Sequence, residues 1–216
     1  MRCVIDNSEM NHVVMDIYSC PVCGLMSSNL PVDESKYGQG YLEKYIEYSD
    51  TPLGKRINET RWDVVQDVLN FGSVLDYGCG AGHFIRMAPE GFIASGYDIN
   101  PYSEFKANPA KRYDAVTFWD SLEHMADPWG VLKSLDTDIV FATVPNTSRL
   151  DFPINQWIHY RPFEHIHHFS EKSIRALFES AGFKRSIITY AEGSLRNQKH
   201  PRWLLTISAW RGNGED

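Results

Sequence analysis

The stretch Val74-Leu75-Asp76-Tyr77-Gly78-Cys79-Gly80-Ala81-Gly82-His83-Phe84 decides how this chain is read. An apolar pair runs into an acidic residue, three glycines follow at alternate positions, and a helical pattern begins at once. This is a short buried strand, a tight loop and a helix start. Glycines at that spacing let the backbone bend sharply and come close to a ligand where any Cβ would clash. The loop falls where α/β sheets bind cofactors, at the carboxyl end of a strand. The Lys-Ser/Thr pair of a phosphate-binding P-loop is missing, and an acid stands before the glycines. The ligand expected there is cationic or zwitterionic.

Outward from this stretch the pattern alternates strand and helix, as an α/β sheet requires. Strands are expected at Val74 to Tyr77, Phe92 to Asp98, Ala115 to Asp120 and Asp138 to Val144. The first helix should run from Gly82 to near Pro89, and another should follow Pro128. Ser170, with Ser173 as the alternative, caps an amphipathic helix carrying Ile174, Leu177 and Phe178 that ends at Gly182. Ile187 to Tyr190 and Trp203 to Trp210 read as the last two strands, joined by a polar hairpin loop. Before the glycine stretch, Tyr37, Tyr41, Tyr45 and Tyr48 recur every three or four residues on one helix face. After Pro52 and Gly54, Ile57, Trp62, Val65 and Leu69 mark a second helix. Three segments follow: a small N-terminal module at 1–32, a helical cap at 33–72 and the cofactor-binding domain at 73–216.

Taken together these motifs resemble class I S-adenosylmethionine-dependent methyltransferases over roughly residues 33–212. Asp76-x-Gly78-x-Gly80-x-Gly82 matches the family's glycine-rich first motif. Asp98, at the end of the second strand, matches the acid that holds the ribose hydroxyls, and a carboxylate there can accept two hydrogen bonds. Asp120-Ser121-Leu122-Glu123-His124 matches the segment beneath cofactor and acceptor, and Val144-Pro145-Asn146 ends the fifth strand as in many small-molecule members. Phe163 to Ser170 resembles the "EH-hhFs" stretch of a zinc-ribbon-bearing, sugar C-methyltransferase-like subgroup. The resemblance implies a Rossmann-like sheet, S-adenosyl-L-methionine as cofactor, and Asp76, Gly78, Gly80, Gly82, Asp98, Trp119 and Asp120 as cofactor-binding residues. An acid 20 residues after Gly78 also suits dinucleotide enzymes; the Asp before the glycines and the 120–124 segment favour methyl transfer.

One departure stands out. Only fifteen residues separate Asp98 from Asp114, too few for the helix and third strand the family places there. The sheet is expected to lack or shorten that strand. Tyr97, Phe118 and Trp119 are then candidates for lining the adenine, or are simple core aromatics.

Cys20-Pro-Val-Cys23-Gly24 is a zinc knuckle, two thiolates wrapping one tetrahedral ion. In the resembled subgroup a second Cys pair completes a ribbon. Here that pair would be Cys3-Val-Ile-Asp6, with Asp in place of the second Cys, and His12 competes with Asp6 as fourth ligand. The metal set read here is Cys3, Asp6, Cys20 and Cys23, holding structural zinc. Cys79 reads as a small buried filler.

Methyl transfer needs acceptor and methyl held in line, and a base only where the acceptor loses a proton. The resemblance favours Glu164 and His165 at the acceptor, with His124 beside them; each could instead only order its loop. Tyr45 and Tyr48 could close over the pocket or be core. The 216 residues include 43% hydrophobic ones, enough for a substantial core, and carry a net charge of -7, which argues against nucleic acid as partner. No apolar run reaches membrane-spanning length, and no signal-peptide core is present. A cytoplasmic enzyme with a small hydroxylated acceptor, such as a sugar or nucleotide-sugar, is expected. A non-catalytic binding module and a macromolecular methyltransferase recruited through the ribbon are the alternatives.

Overall fold

The computed structural model describes residues 1–212. In chain order the elements are β1 (Asn11–Val14), β2 (Ile17–Ser19), β3 (Met26–Ser28), α1 (Gln39–Asp50), α2 (Pro52–Gln66), β4 (Gly72–Tyr77), α3 (His83–Arg86), β5 (Phe92–Tyr97) and β6 (Ala115–Trp119). They continue with α4 (Pro128–Ser134), β7 (Ile139–Pro145), β8 (His167–His168), α5 (Glu171–Ser180), β9 (Arg185–Thr189), α6 (Gly193–Arg196) and β10 (Leu204–Trp210).

Six strands form the main sheet in the order β5-β4-β6-β7-β10-β9. β5, β4, β6 and β7 are parallel, while β10 runs antiparallel to both its neighbours. Buried on both faces, the central strands read as continuous apolar runs rather than alternating ones. Their successive residues nevertheless go to opposite faces, because the side-chain period of a strand is two. Val74 and Ala115 pack with Trp62, Phe84 and Phe92 on one side. Leu75 and Val116 pack with Leu132, Ile174, Leu177 and Phe178 on the other.

Among the described residues no strand lies beyond β5, so the edge expected to be short is short. Residues 99–114 supply turns and one antiparallel bridge, Tyr97 to Lys106. Lys106 Nζ donates to the carbonyls of Asp98 and Asn100 at 2.8 and 2.7 Å. One side chain thus satisfies carbonyls that a neighbouring strand would otherwise cover.

A second, four-stranded sheet has the order β1-β2-β3-β8. Its fourth strand comes from residues 167–168, so Met26 pairs with His168 and Ser27 with His167. The N-terminal module is therefore hydrogen-bonded into the segment that follows β7.

Two local expectations change. α3 stops at Arg86 rather than near Pro89, because Met87 N already closes back on His83 and Phe84 carbonyls. The segment between β9 and β10 is no simple polar hairpin: it holds α6 and the buried Glu192. Ser170 is the cap of α5. Its Oγ accepts from Ser173 N at 3.1 Å, and Ser173 Oγ accepts from Ser170 N at 2.8 Å, a reciprocal capping box.

Candidate functional site

A cavity of about 760 Å³ opens over the carboxyl ends of β4, β5 and β6. The chain leaves β4 for β5 on one side and returns to β6 on the other, so the cavity sits at the sheet's topological switch point.

The glycine loop forms its floor. Gly78, Gly80 and Gly82 have φ of 84°, 52° and 75°, a region L side chains rarely adopt. A Cβ on Gly82 would meet the Phe105 ring at 2.2 Å, whereas one on Gly80 would meet nothing within 4 Å. Gly82 is thus required by packing, and Gly80 leaves open space beside the backbone. Asp98 ties the loop: its Oδ2 accepts from Gly80 N at 2.6 Å and its Oδ1 from Asn100 N at 2.7 Å. Each carboxylate oxygen accepts two hydrogen bonds, so one place per oxygen is left over.

Asp76 is 3% exposed, and its carboxylate accepts from Thr117 Oγ1 at 2.8 Å. Burial pushes its pKa up to about 7, against the Thr117 hydrogen bond and the Arg61 charge, which favour the ionised form. It is a buried acid short of a cation.

Trp119 and Asp120 end β6. Trp119 packs edge-on against Phe84, and the Arg61 guanidinium lies 5.3 Å from its ring centroid. Asp120 takes a left-handed turn (φ 53°) and is gripped by two guanidiniums, Arg61 Nη2 at 2.7 Å and Arg196 Nη1 at 2.8 Å. Arg61 also pairs with Glu192 at 2.8 Å, and Thr143 Oγ1 donates to the same carboxylate at 3.0 Å. This network joins α2, β6 and α6 at the cavity wall. Sequence reasoning missed it. A signal was present for Arg61, which falls four residues after Ile57 and four before Val65, a charge on the apolar face of α2. Glu192 and Arg196 lie in a segment too short to show periodicity.

The far end of the cavity is lined by His124, His165, Glu123, Tyr37, Tyr41, Tyr45 and Tyr48. No residue of α1 is buried, so Tyr41, Tyr45 and Tyr48 form a cavity wall rather than core; Tyr37, expected on the same helix face, precedes α1 and joins the wall from the turn before it. Tyr37 Oη lies 2.9 Å from His124 Nδ1, which is also 3.0 Å from the Glu164 carbonyl. His165 Nδ1 lies 2.8 Å from the His159 carbonyl. A carbonyl can only accept, so both rings carry their proton on Nδ1 and leave Nε2 with a free lone pair. Burial holds the His165 pKa down to about 2, reinforced by His124 and Arg161, so the ring stays neutral. Glu164 has its carboxylate on Arg161 at 3.1 Å, away from the cavity, and contributes its carbonyl to His124.

The cysteine cluster lies outside this cavity. Cys3 Sγ and Cys23 Sγ are 3.6 Å apart, and Cys20 Sγ is 3.3 Å from Asp6 Oδ2. Tetrahedral ligands at zinc bond lengths of about 2.0–2.3 Å stand about 3.3–3.8 Å apart. His12 is exposed and turned to the Met15 carbonyl at 2.9 Å, so Asp6 is the residue that joins the three thiols. Cys79 is half-buried beside the cavity, where burial raises its thiol pKa.

Residues 45–185 match a family model described as a methyltransferase domain. No curated protein sequence matches significantly. Among solved structures, the fold is similar to a SAM-dependent methyltransferase from Archaeoglobus fulgidus, with 19% identity, TM-score 0.56 and 77% and 99% of the two chains covered. It is similar to 1,6-didemethyltoxoflavin-N1-methyltransferase of Burkholderia thailandensis, with 14% identity, TM-score 0.52 and coverage of 95% and 100%. The N-terminal domain of EvdMO1, solved with SAH and D-fucose, gives 15% identity, TM-score 0.50 and coverage of 76% and 85%.

Proposed function

The chain belongs to the methyltransferase domain family, as a class I S-adenosylmethionine-dependent enzyme, and from that premise we propose that it methylates a small hydroxylated metabolite such as a sugar or nucleotide-sugar. The observation that carries this reading is one continuous cavity that reaches from the glycine loop to His124 and His165. Its volume suits a cofactor and a small acceptor, and EvdMO1 offers a neighbour that holds a sugar.

The residues fit S-adenosylmethionine. Asp98 has two acceptor places for the ribose hydroxyls. The space beside Gly80 admits the cofactor close to backbone, Asp76 supplies the charge that its amino group lacks a partner for, and Trp119 and Asp120 border it. The sulfonium supplies an activated methyl group. This chain's part is to hold the acceptor in line and shed water. His165 and His124 face the acceptor, and the free Nε2 lone pair of His165 serves to orient its nucleophilic atom, directly or through a group bound there; Glu164 acts through its carbonyl on His124. The test is calorimetry with S-adenosylhomocysteine, followed by transfer of labelled methyl to a panel of sugars and nucleotide-sugars. Absence of S-adenosylhomocysteine binding discards the reading.

Asp76 adds a pH signature. Its carboxyl titrates near 7 in the free protein, and a bound ammonium favours the ionised form. Binding at pH 6.5 should therefore release a proton, and affinity should fall about tenfold from pH 8 to pH 6 as the carboxylate is lost. Binding enthalpy measured in buffers of different ionisation enthalpy shows the release. Identical enthalpies in all buffers would refute the role given to Asp76.

Zinc at Cys3, Asp6, Cys20 and Cys23 is proposed as structural. The donor set is closed, buried at all three thiols and about the right size. Its strands reach the acceptor wall through β3 and β8. Cys20→Ser should lose one bound zinc per chain, lower the Tm by roughly 5–10 °C, and raise the acceptor KM more than it weakens S-adenosylhomocysteine binding. A zinc-free wild-type protein, by elemental analysis, would end this assignment.

A further inference from the structure

The acceptor end of the cavity holds a second cluster of metal-type ligands. One donor atom from each of Glu123, His124 and His165 lies within 4.8 Å of the others. We infer that these three residues form a binding site for a divalent first-row cation, separate from the cysteine cluster and open to the acceptor.

Three independent observations point to a ligand there. Glu123 is 1% exposed, and its Oε2 has no hydrogen-bond partner among the described residues. An unpartnered buried carboxylate oxygen is costly, and coordination to a cation is one of the few ways to satisfy it. Both histidines direct Nδ1 at a backbone carbonyl, Glu164 for His124 and His159 for His165. This is the outer-shell arrangement that fixes the tautomer of metal-ligating histidines and leaves Nε2 for the ion. Finally, the two rings meet edge to face with centroids 4.6 Å apart, so both imidazoles stand at one end of the cavity, with a donor atom of each within 4.8 Å of Glu123.

The donor set selects the ion. Two imidazoles and one carboxylate suit Mn(II), Fe(II), Co(II) or Zn(II), not the all-oxygen cages of calcium or magnesium. Three protein ligands leave positions open for two oxygens of an acceptor. Ligands on one such ion stand about 3–3.5 Å apart at bonds of about 2.1 Å, so modest side-chain rotations close the set. Glu123 carbonyl accepts from Ile166 N at 2.9 Å, which holds the segment after β6 against the histidine segment. Asp120 adds negative charge nearby, and Arg161 and Arg196 offset it. The cation's role as a Lewis acid toward the acceptor rests on the methyl-transfer reading above; its binding does not.

The probe is Mn2+, which prefers nitrogen and oxygen donors and leaves thiolates to zinc. Wild-type protein holding one zinc per chain, with excess zinc removed, is titrated with Mn2+ and the free ion counted by electron paramagnetic resonance. About one Mn2+ per chain should bind, and Glu123→Gln and His165→Ala should each weaken it by tenfold or more, while Cys20→Ser, which reaches the site only through β3 and β8, weakens it less than threefold. S-adenosylhomocysteine binding is measured on the same samples. Spin-echo spectra of the bound wild-type ion should show imidazole nitrogen coupling, a readout that needs no variant to fold. No Mn2+ binding, no nitrogen coupling, or equal affinity in folded Glu123→Gln each overturns the site. Such a result with intact S-adenosylhomocysteine binding removes the metal site alone, whereas loss of cofactor binding by the wild type removes the methyl-transfer reading alone.

Discussion

Asp98→Ala should weaken S-adenosylhomocysteine binding by roughly a hundred- to a thousandfold while leaving the protein folded. The carboxylate already accepts from Gly80 N and Asn100 N, and one place on each oxygen remains for the two ribose hydroxyls. Hydrogen bonds to a charged acceptor contribute about 1.5–3 kcal/mol each, and 1.4 kcal/mol is about a factor of ten in affinity. The substitution also releases Gly80, whose amide then lacks the acceptor that sets the loop, so part of the loss is disorder in the cofactor's floor. The fold should tolerate it, because Asp98 lies at the surface end of an edge strand and Lys106 still holds the carbonyls of Asp98 and Asn100. Asp98→Asn, which keeps one acceptor oxygen, should fall between wild type and alanine. Calorimetry and a melting curve on the same samples decide the matter. A loss under tenfold with a normal Tm would show that the ribose is held elsewhere.

The contrast between Asp98 and Arg61 shows what can be read from residues alone. The position of Asp98, just after β5 and bonded to the glycine loop, was legible because it is set by local pattern: a strand of period two, a known distance after glycines that need positive φ. The same holds for the short edge of the sheet, since fifteen residues cannot make a helix, a strand and two loops. The Ser170 cap was legible because its partner is three residues away. What was not legible depended on residues far apart in sequence. Nothing local says that residues 167–168 complete an N-terminal sheet, or that Glu192 folds back under Thr143. The Glu164 carboxylate pairs with Arg161 on its own turn, a competition that a motif match does not weigh. Tyr41, Tyr45 and Tyr48 of α1 have the period of a buried face, yet they line a cavity and none is buried; period reveals that residues share a face, not what stands against it.

Arg61→Met should destabilise the protein by about 3–5 kcal/mol and lower its Tm by roughly 10 °C or more. Arg61 bonds Glu192 through Nε and Nη2 at 2.8 and 3.0 Å and Asp120 at 2.7 Å, with Arg61 itself only 13% exposed at the side chain. Methionine fills the space but leaves Glu192, 1% exposed, with Arg196 at 3.1 Å and Thr143 as its remaining partners. A buried charge stripped of its main partner costs more than the pair was ever worth as an attraction. The effect should therefore be non-additive: Arg61→Met with Glu192→Gln should recover more than half of the loss, because the second change removes the uncompensated charge. Additive losses in the double-mutant cycle would instead mean that Arg61 matters through its contact with Trp119. The same cycle bears on the cofactor site. Arg61 lowers the pKa of Asp76 and α2 carries one wall of the cavity. Arg61→Met should then move the pH at which S-adenosylhomocysteine affinity falls upward, and Glu192→Gln on top of it should restore stability without restoring that pH. A charge held between helix and sheet thus has two separable effects, one on the fold and one on the acid beside the glycines.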